Sequence, residues 1–326
     1  MDARYYETTE TDRLRCSLCP HRCLIVPGKT GICGVRMNEG GTLVLPYAGR
    51  LSAVSIDPIE KKPLYHFHPG TEILSVGFVG CSFRCPFCQN YRISQGTGAE
   101  TLRMTPQELT SYALGHGSFA VAYTYSEPTI HLEYVTETAL LAREAGLRNV
   151  LVSNGFLNPE PARELLSLMD AANIDLKSFS AEFYRRELGG KLESVLEFLE
   201  PASELTHLEV TTLVIPGKND SEAELDAIAS FIASLSPDIP LHLSAYYPVY
   251  NYREPPTPPA TLERLAELCR THLRYVYLGN VGGEADTHCA SCGAILVRRR
   301  GYSVTTPGFT HGRCNSCGAR VPIVSE

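Results

Sequence analysis

Gly80-Cys81-Ser82-Phe83-Arg84-Cys85-Pro86-Phe87-Cys88-Gln89-Asn90 follows directly on the apolar stretch Ile73 to Val79, and this pairing of a strand-like run with three cysteines decides how the chain is read. The spacing is Cys-x3-Cys-x2-Cys. Zinc sites usually set two Cys-x2-Cys hooks around a tetrahedral ion, whereas this loop has one hook and an outlier. A cubane [4Fe-4S] cluster normally takes four thiolates, so three on one short loop leave one iron open to a ligand that is not protein. The spacing predicts such a site at Cys81, Cys85 and Cys88.

Outward from this loop, residues 73 to 280 alternate short β-branched apolar runs with longer amphipathic ones, the pattern of a parallel sheet in βαβα order. Strands are expected at Ile73 to Val79, Phe119 to Tyr125, Asn149 to Ser153, Ala172 to Leu176, Leu208 to Ile215 and Leu241 to Ala245, with a further candidate at Tyr275 to Leu278. Thr105-Pro106-Gln107-Glu108 reads as a capping box with Pro at the first helical position, Asn158-Pro159 offers a cap with the same Pro device, and Ser221 with Glu224 forms another box. Six strand–helix units fall short of the eight of a closed barrel. The expected fold is α/β, a partial (β/α)6 TIM-like barrel, with chemistry on the loops after the strands.

Those loops each hold something polar: Ser126-Glu127-Pro128 after the second strand, Asn154-Gly155 after the third, Asp175-Leu176-Lys177 at the fourth, Pro216-Gly217-Lys218-Asn219-Asp220 after the fifth and Tyr246-Tyr247-Pro248 after the sixth. Singly they are ordinary turn chemistry. In barrel order behind a three-Cys loop, they are collectively informative. The three-Cys segment resembles the radical SAM superfamily signature, and the barrel resembles enzymes related to pyruvate formate-lyase-activating enzymes. Within that group, Glu60 to Phe67, Cys88-Gln89-Asn90, Tyr123 to Thr129 and Tyr275 to Val281 resemble the AmmeMemoRadiSam system radical SAM enzymes.

The resemblance implies reductive cleavage of S-adenosylmethionine (SAM) to a 5′-deoxyadenosyl radical, with a low-potential electron donor of flavodoxin or ferredoxin type and Memo-like and AMMECR-like partners. It implies that Glu127 and the neighbouring carbonyls of Ser126 and Pro128 receive the SAM amino group. Ser153 and Asn154 would meet the ribose, Lys177 the carboxylate with Asp175 beside it, and Val214 to Gly217 with Phe87 the adenine. One departure stands out: the second-strand loop reads Tyr-Ser-Glu-Pro where many radical SAM enzymes have Gly-Gly-Glu.

Two further cysteine groups flank the barrel. Cys289-x2-Cys292 and Cys314-x2-Cys317 are two hooks with zinc-ribbon spacing, and four thiolates on Zn2+ would fold about forty residues that cannot bury a core of their own. Cys16-x2-Cys19-x3-Cys23-x9-Cys33 supplies four more thiolates in a Pro- and Gly-rich segment, a closed site for Zn2+ or an auxiliary [4Fe-4S] cluster. The expected division is an N-terminal four-cysteine module and lead-in at 1–70, the barrel at 71–282 and a zinc-ribbon-like module at 283–326. Cys269, alone in a helical pattern, reads as a small buried hydrophobe. His66 and His68 read as local hydrogen-bonding groups, and the aromatic, Pro-rich run from Tyr246 to Pro259 as a surface loop.

Composition sets the remaining bounds. At 326 residues and 44% hydrophobic the chain suits one large domain with appendages. No apolar run has the length of a membrane span and Met1 to Arg15 holds no signal-type segment, so a cytoplasmic location with no membrane association is expected. Twelve cysteines in that setting point to metal or cluster ligands more than disulfides. The net charge of −7 argues against broad nucleic-acid binding, leaving Arg298-Arg299-Arg300 as a local basic patch. The competing reading is a metal-stabilised binding protein that acts on RNA or a protein partner.

Overall fold

The computed structural model describes residues 1–9, 12–96 and 98–325. Its central sheet has eight strands among the described residues, in sequential order from edge to edge. They are β1 (Ala53–Pro58), β2 (Glu72–Gly77), β3 (Ala120–Thr124), β4 (Arg148–Ser153), β5 (Ala171–Asp175), β6 (His207–Val214), β7 (Leu241–Ala245) and β8 (Val276–Gly279). β1 runs antiparallel to β2, and from β2 onward every pairing is parallel. Continuous apolar strands such as Val150-Leu151-Val152 suit a sheet covered on both faces.

Each strand from β2 to β7 is followed by a helix: α1 (Pro106–Gly115), α2 (Leu132–Glu144), α3 (Pro159–Leu166), α4 (Leu192–Leu205), α5 (Glu222–Leu235) and α6 (Pro259–Cys269). This is the expected partial (β/α)6 barrel, extended by the late strand β8 and by β1, which sequence reading had not placed. The Thr105–Glu108 capping box forms in full. Asn158 stands at the α3 N-cap without a side-chain cap bond, because its amide donates instead to Ser17 O at 2.6 Å. Ser221 caps α5, but Glu224 leaves the box and accepts from Phe179 N at 2.6 Å, pinning the loop after β5. Cys269 is fully buried in α6.

The segment after β1 closes the foot of the barrel. Ile59, Leu64 and Phe67 pack with Ile73, Ala120, Ala122, Val150 and Ala171 inside the sheet. Tyr65 and His66 reach across to the far edge, where Tyr65 lies 4.8 Å from the Tyr277 ring and His66 lies 4.5 Å from the Tyr275 ring. Here Glu209 accepts from His66 N at 2.7 Å and sits 2.6 Å from His242 Nε2 and 3.1 Å from His207 Nε2. His66 hydrogen-bonds Pro322 O and Tyr277 OH, and a parallel bridge pairs Phe67 with Val324. The C-terminal module is thereby tied to the barrel.

Arg299 is buried in the same seam, its guanidinium 4.2 Å over the Tyr65 ring and donating to Thr287 Oγ1 at 2.8 Å. Arg300 pairs with Asp286 and Glu284. The basic patch expected at 298–300 is therefore largely committed internally. At the other end of the chain, Tyr6–Thr8, Leu14–Cys16 and Leu24–Ile25 form a small antiparallel sheet. Buried Arg36 clamps it to the barrel: Nη2 meets both carboxylate oxygens of Glu133 on α2, and Nη1 donates to Arg4 O at 2.9 Å.

The fold should be sensitive to acid, through His66 at the foot and His131 behind the three-Cys loop, where its Nε2 lies 2.9 Å from Val79 O. Burial pushes His66 down to about 3 and His131 down to about 4. Burial pushes Glu209 up, but its bonds to His207 and His242 hold it well below its ordinary value. For the imidazoles the unfolded chain takes protons from about pH 6.5 downward while the folded chain refuses them, so stability falls as pH drops from there toward their folded values. Glu209 adds a loss of the same sign below about pH 4.5. By pH 5 each buried imidazole should cost roughly 2 kcal/mol relative to neutral pH. Anaerobic urea titrations at pH 7.5 and 5.0 would show this, and His66→Gln should flatten the difference.

Candidate active site

The three-Cys loop leaves the carboxyl end of β2 and turns into the barrel mouth. Gly80, at φ +79°, begins the turn, and a Cβ there would stand 2.5 Å from the Cys33 carbonyl oxygen, so the close approach requires glycine. Cys81 and Cys85 are buried and Cys88 is half-buried. Burial pushes the Cys85 thiol up to about 12 and Cys81 well above its ordinary value, so charge on these sulfurs requires a cation beside them. Phe83 N donates to Cys81 Sγ at 3.3 Å and the Asn154 amide approaches it at 3.7 Å.

All three cysteines open into one cavity of about 280 Å3 at the carboxyl ends of the strands, the expected place in such a barrel. Phe87, Ser126, Ser153, Asn154, Asp175 and Lys177 line it as well. Glu127, Pro128, Val214 and Gly217 are not among its lining residues. A cleft of about 1060 Å3 lies at the opposite end, between the foot of the barrel and the C-terminal module. It is larger, but it lacks the strand-end loops and their thiols.

Lys177 Nζ lies 2.8 Å from Asp175 Oδ2. Burial works against its charge, yet Asp175 and the neighbouring Cys85 raise its pKa, so it is an ammonium. Glu127 is fully buried, and burial raises its pKa. It accepts from Ser153 Oγ at 2.7 Å, Asn154 N at 2.9 Å and Thr129 Oγ1 at 2.8 Å. Its carboxylate thus joins the loops after β3 and β4. Asn154 Nδ2 donates to Ser82 Oγ at 3.1 Å, linking them to the three-Cys loop.

Tyr125 and Ser126 occupy left-handed backbone at φ +42° and +61°. The conformation costs about 1 kcal/mol or more per L-residue. Anchorage of the Tyr125 side chain helps offset it: its hydroxyl accepts from Lys62 Nζ at 2.9 Å and donates to Asp57 Oδ2 at 3.2 Å. Burial pushes against the Asp57 charge, but Lys61 and Lys62 hold its carboxyl well below the usual range. Asp57, Lys61, Lys62, Thr211, Leu213 and Ser244 join the site or its supports without an expected role from sequence. The Glu60 to Phe67 resemblance is the signal for the lysines, and a place in the carboxyl-terminal half of β6 and β7 is the signal for Thr211, Leu213 and Ser244.

The Tyr246 to Pro259 run is also more than a surface loop. Asn251 N and Tyr252 N donate to Pro86 O at 2.9 and 3.2 Å, the Tyr252 ring lies 5.5 Å from Phe87, and Tyr250 stacks on Tyr91 at 4.6 Å. It packs over the three-Cys loop from the β7 side.

The radical SAM superfamily profile matches residues 75–229, from β2 into α5. An uncharacterized protein of Methanocaldococcus jannaschii is 39% identical, over 99% of this chain and 99% of its own. The chain belongs to the radical SAM superfamily. The isethionate sulfite-lyase activating enzyme of Desulfovibrio desulfuricans is 27% identical over 45% of this chain and 47% of that enzyme. The crystal structure of Streptococcus suis SuiB matches with a TM-score of 0.52 at 13% identity, covering 68% of this chain and 52% of that one, a likeness of fold alone. As a superfamily member related to the activating enzymes, the chain is an enzyme of SAM-cleaving radical chemistry, with a [4Fe-4S] cluster, SAM and an external reductant. The reading as a binding protein falls away.

In the C-terminal module, Cys289, Cys292, Cys314 and Cys317 bring their sulfurs within 4.8 Å of one another, a set able to hold a metal ion. Among the described residues no helix is long and apolar enough to cross a membrane.

Glu127→Gln would put an amide N–H against one of the donors that now meet its carboxylate. The expected loss is about 1–3 kcal/mol, read as a lower denaturant midpoint at unchanged slope.

Proposed function

We propose that the cavity above β2 to β7 is the active site of a glycyl-radical-activase-like enzyme, and that Cys81, Cys85 and Cys88 hold its cluster. The observation that carries this is the opening of three buried thiols into the same cavity as a Lys–Asp pair. The donor set fits: three thiols stand on one loop, backbone and amide N–H groups point at Cys81, and such donors tune cluster potentials. When bound, the cluster and SAM supply a 5′-deoxyadenosyl radical that takes hydrogen from substrate.

The remaining roles belong to the chain itself. Lys177 is proposed to meet the SAM carboxylate, with Asp175 keeping it charged, and Ser126 to offer polar atoms to the amino group beside Pro128. Glu127 supports that contact by fixing Ser153 and Asn154, the proposed ribose neighbours. Phe87 and Leu213 flank the adenine, with Val214 and Gly217 behind. Tyr252 and its loop exclude water, which a carbon radical requires.

Residues 1–70, 71–282 and 283–326 are proposed as the three functional units, with β1 lent by the first to the barrel. The ribbon is proposed to hold Zn2+, since Cys289–Cys317 and Cys292–Cys314 sulfur separations of 3.7 Å match the edge of about 3.8 Å that follows from Zn–S bonds near 2.3 Å in a tetrahedron. A flavodoxin or ferredoxin would supply electrons. The likeness to an activating enzyme supports hydrogen abstraction from a protein glycine, and the AmmeMemoRadiSam resemblance supports Memo-like and AMMECR-like partners in a cytoplasmic setting.

Cys81→Ala, Cys85→Ala or Cys88→Ala should each abolish anaerobic 5′-deoxyadenosine formation, and near-normal yields in any of them would refute the assignment. Lys177→Met should keep its iron while weakening SAM binding by roughly tenfold to a hundredfold, the loss of one charge-assisted contact. Deuterium appearing in 5′-deoxyadenosine after incubation with glycine-deuterated candidate proteins would identify the substrate.

A further inference from the structure

We infer that the amino-terminal nest of Cys16, Cys19, Cys23 and Cys33 holds a second [4Fe-4S] cluster, closed by four thiolates and redox-active, in place of the zinc its cysteine count would equally allow.

Sulfur spacing separates the two metals. Four thiolates on one ion must crowd together, as the ribbon's do at 3.7 Å. A cubane spreads its ligands over four separate irons, so its thiolates stand further apart. Among the described residues the ribbon is the one set of three or more potential metal ligands whose donor atoms all lie within 4.8 Å of one another. The nest does not meet that limit, and neither does the loop of Cys81, Cys85 and Cys88. Yet the four nest cysteines line one pocket, closed by Leu18, Ile25 and Ile130. His21 and Arg36 complete its wall, so the sulfurs have basic as well as apolar neighbours. Ile32 N donates to Cys23 Sγ at 3.4 Å.

Position supports a redox role. The nest abuts the three-Cys loop through the close Gly80–Cys33 backbone approach. His21 Nε2 lies 2.7 Å from Ser82 O, and the Arg84 guanidinium donates to Ile32 O. A zinc clip could brace this contact but could not change oxidation state. A cluster here would take one electron from a low-potential donor and pass one on to the cluster proposed for the three-Cys loop, with its own composition unchanged and no bond made or broken.

The test uses the full-length chain with Cys81, Cys85 and Cys88 all replaced by Ala, which leaves the nest intact. After anaerobic reconstitution with iron and sulfide, it should retain about four irons and about one zinc per chain. Dithionite should then elicit a paramagnetic signal of about one spin that SAM does not alter. Two zincs and no iron in that variant would overturn the inference. So would iron that dithionite does not convert to a paramagnetic state. The loop's assignment is read separately in the unsubstituted protein, where a signal shifted by SAM must appear; either reading can fail while the other survives.

Discussion

The stretch from Gly80 to Asn90 is gripped from three sides, and the working geometry of the molecule depends on that grip. The Cys33 backbone closes against Gly80, Asn154 holds Ser82, and Pro86 O accepts from Asn251 and Tyr252. A loop that must present three sulfurs at fixed separation cannot be left to its own conformational entropy. Each of the three contacts comes from a different part of the chain, so the site is assembled only when the amino-terminal module, the β4 loop and the β7 loop are all in place.

Charge burial follows the same logic. Lys177, Glu127 and Arg36 all sit where an isolated charge would be costly, and each is offset locally. Lys177 has Asp175, Arg36 has both oxygens of Glu133, and Glu127 collects donors from Thr129, Ser153 and Asn154. These contacts are directional, which burial of apolar surface is not. They therefore set register between loops that the hydrophobic core alone would leave free. The foot of the barrel repeats the device around Glu209, where His66, His207 and His242 converge and the C-terminal module takes part through Pro322.

The molecule thus has two polar ends with different tasks. The carboxyl ends of the strands carry thiols, an ammonium and left-handed backbone at Tyr125 and Ser126, the marks of a strained functional site. The amino ends carry a dense polar network that seals an open sheet, with Glu60 Oε2 and Arg299 Nε left without hydrogen-bond partners in it. Arg299 illustrates the division: in a run of three arginines that sequence alone offers as a docking patch, it is buried on Tyr65 and braces the seam.

Local pattern made much of this legible. The three-Cys loop, six strand–helix units, the Thr105 capping box and the ribbon's two hooks obey short-range spacing, because periodicity and metal coordination act over a few residues. So did the convergence of Phe87, Ser126, Ser153, Asn154, Asp175 and Lys177 on one cavity, since strands in a barrel point their ends the same way. What only the tertiary structure decided were contacts between residues far apart in the chain. These include β1 pairing antiparallel at the sheet edge, Glu224 and Asn158 leaving their caps for distant partners, Glu127 facing Ser153 and Asn154, and the Tyr246 loop docking on Pro86. A side chain with two competing hydrogen-bond partners takes the one that packing brings within reach, and no local pattern records that choice.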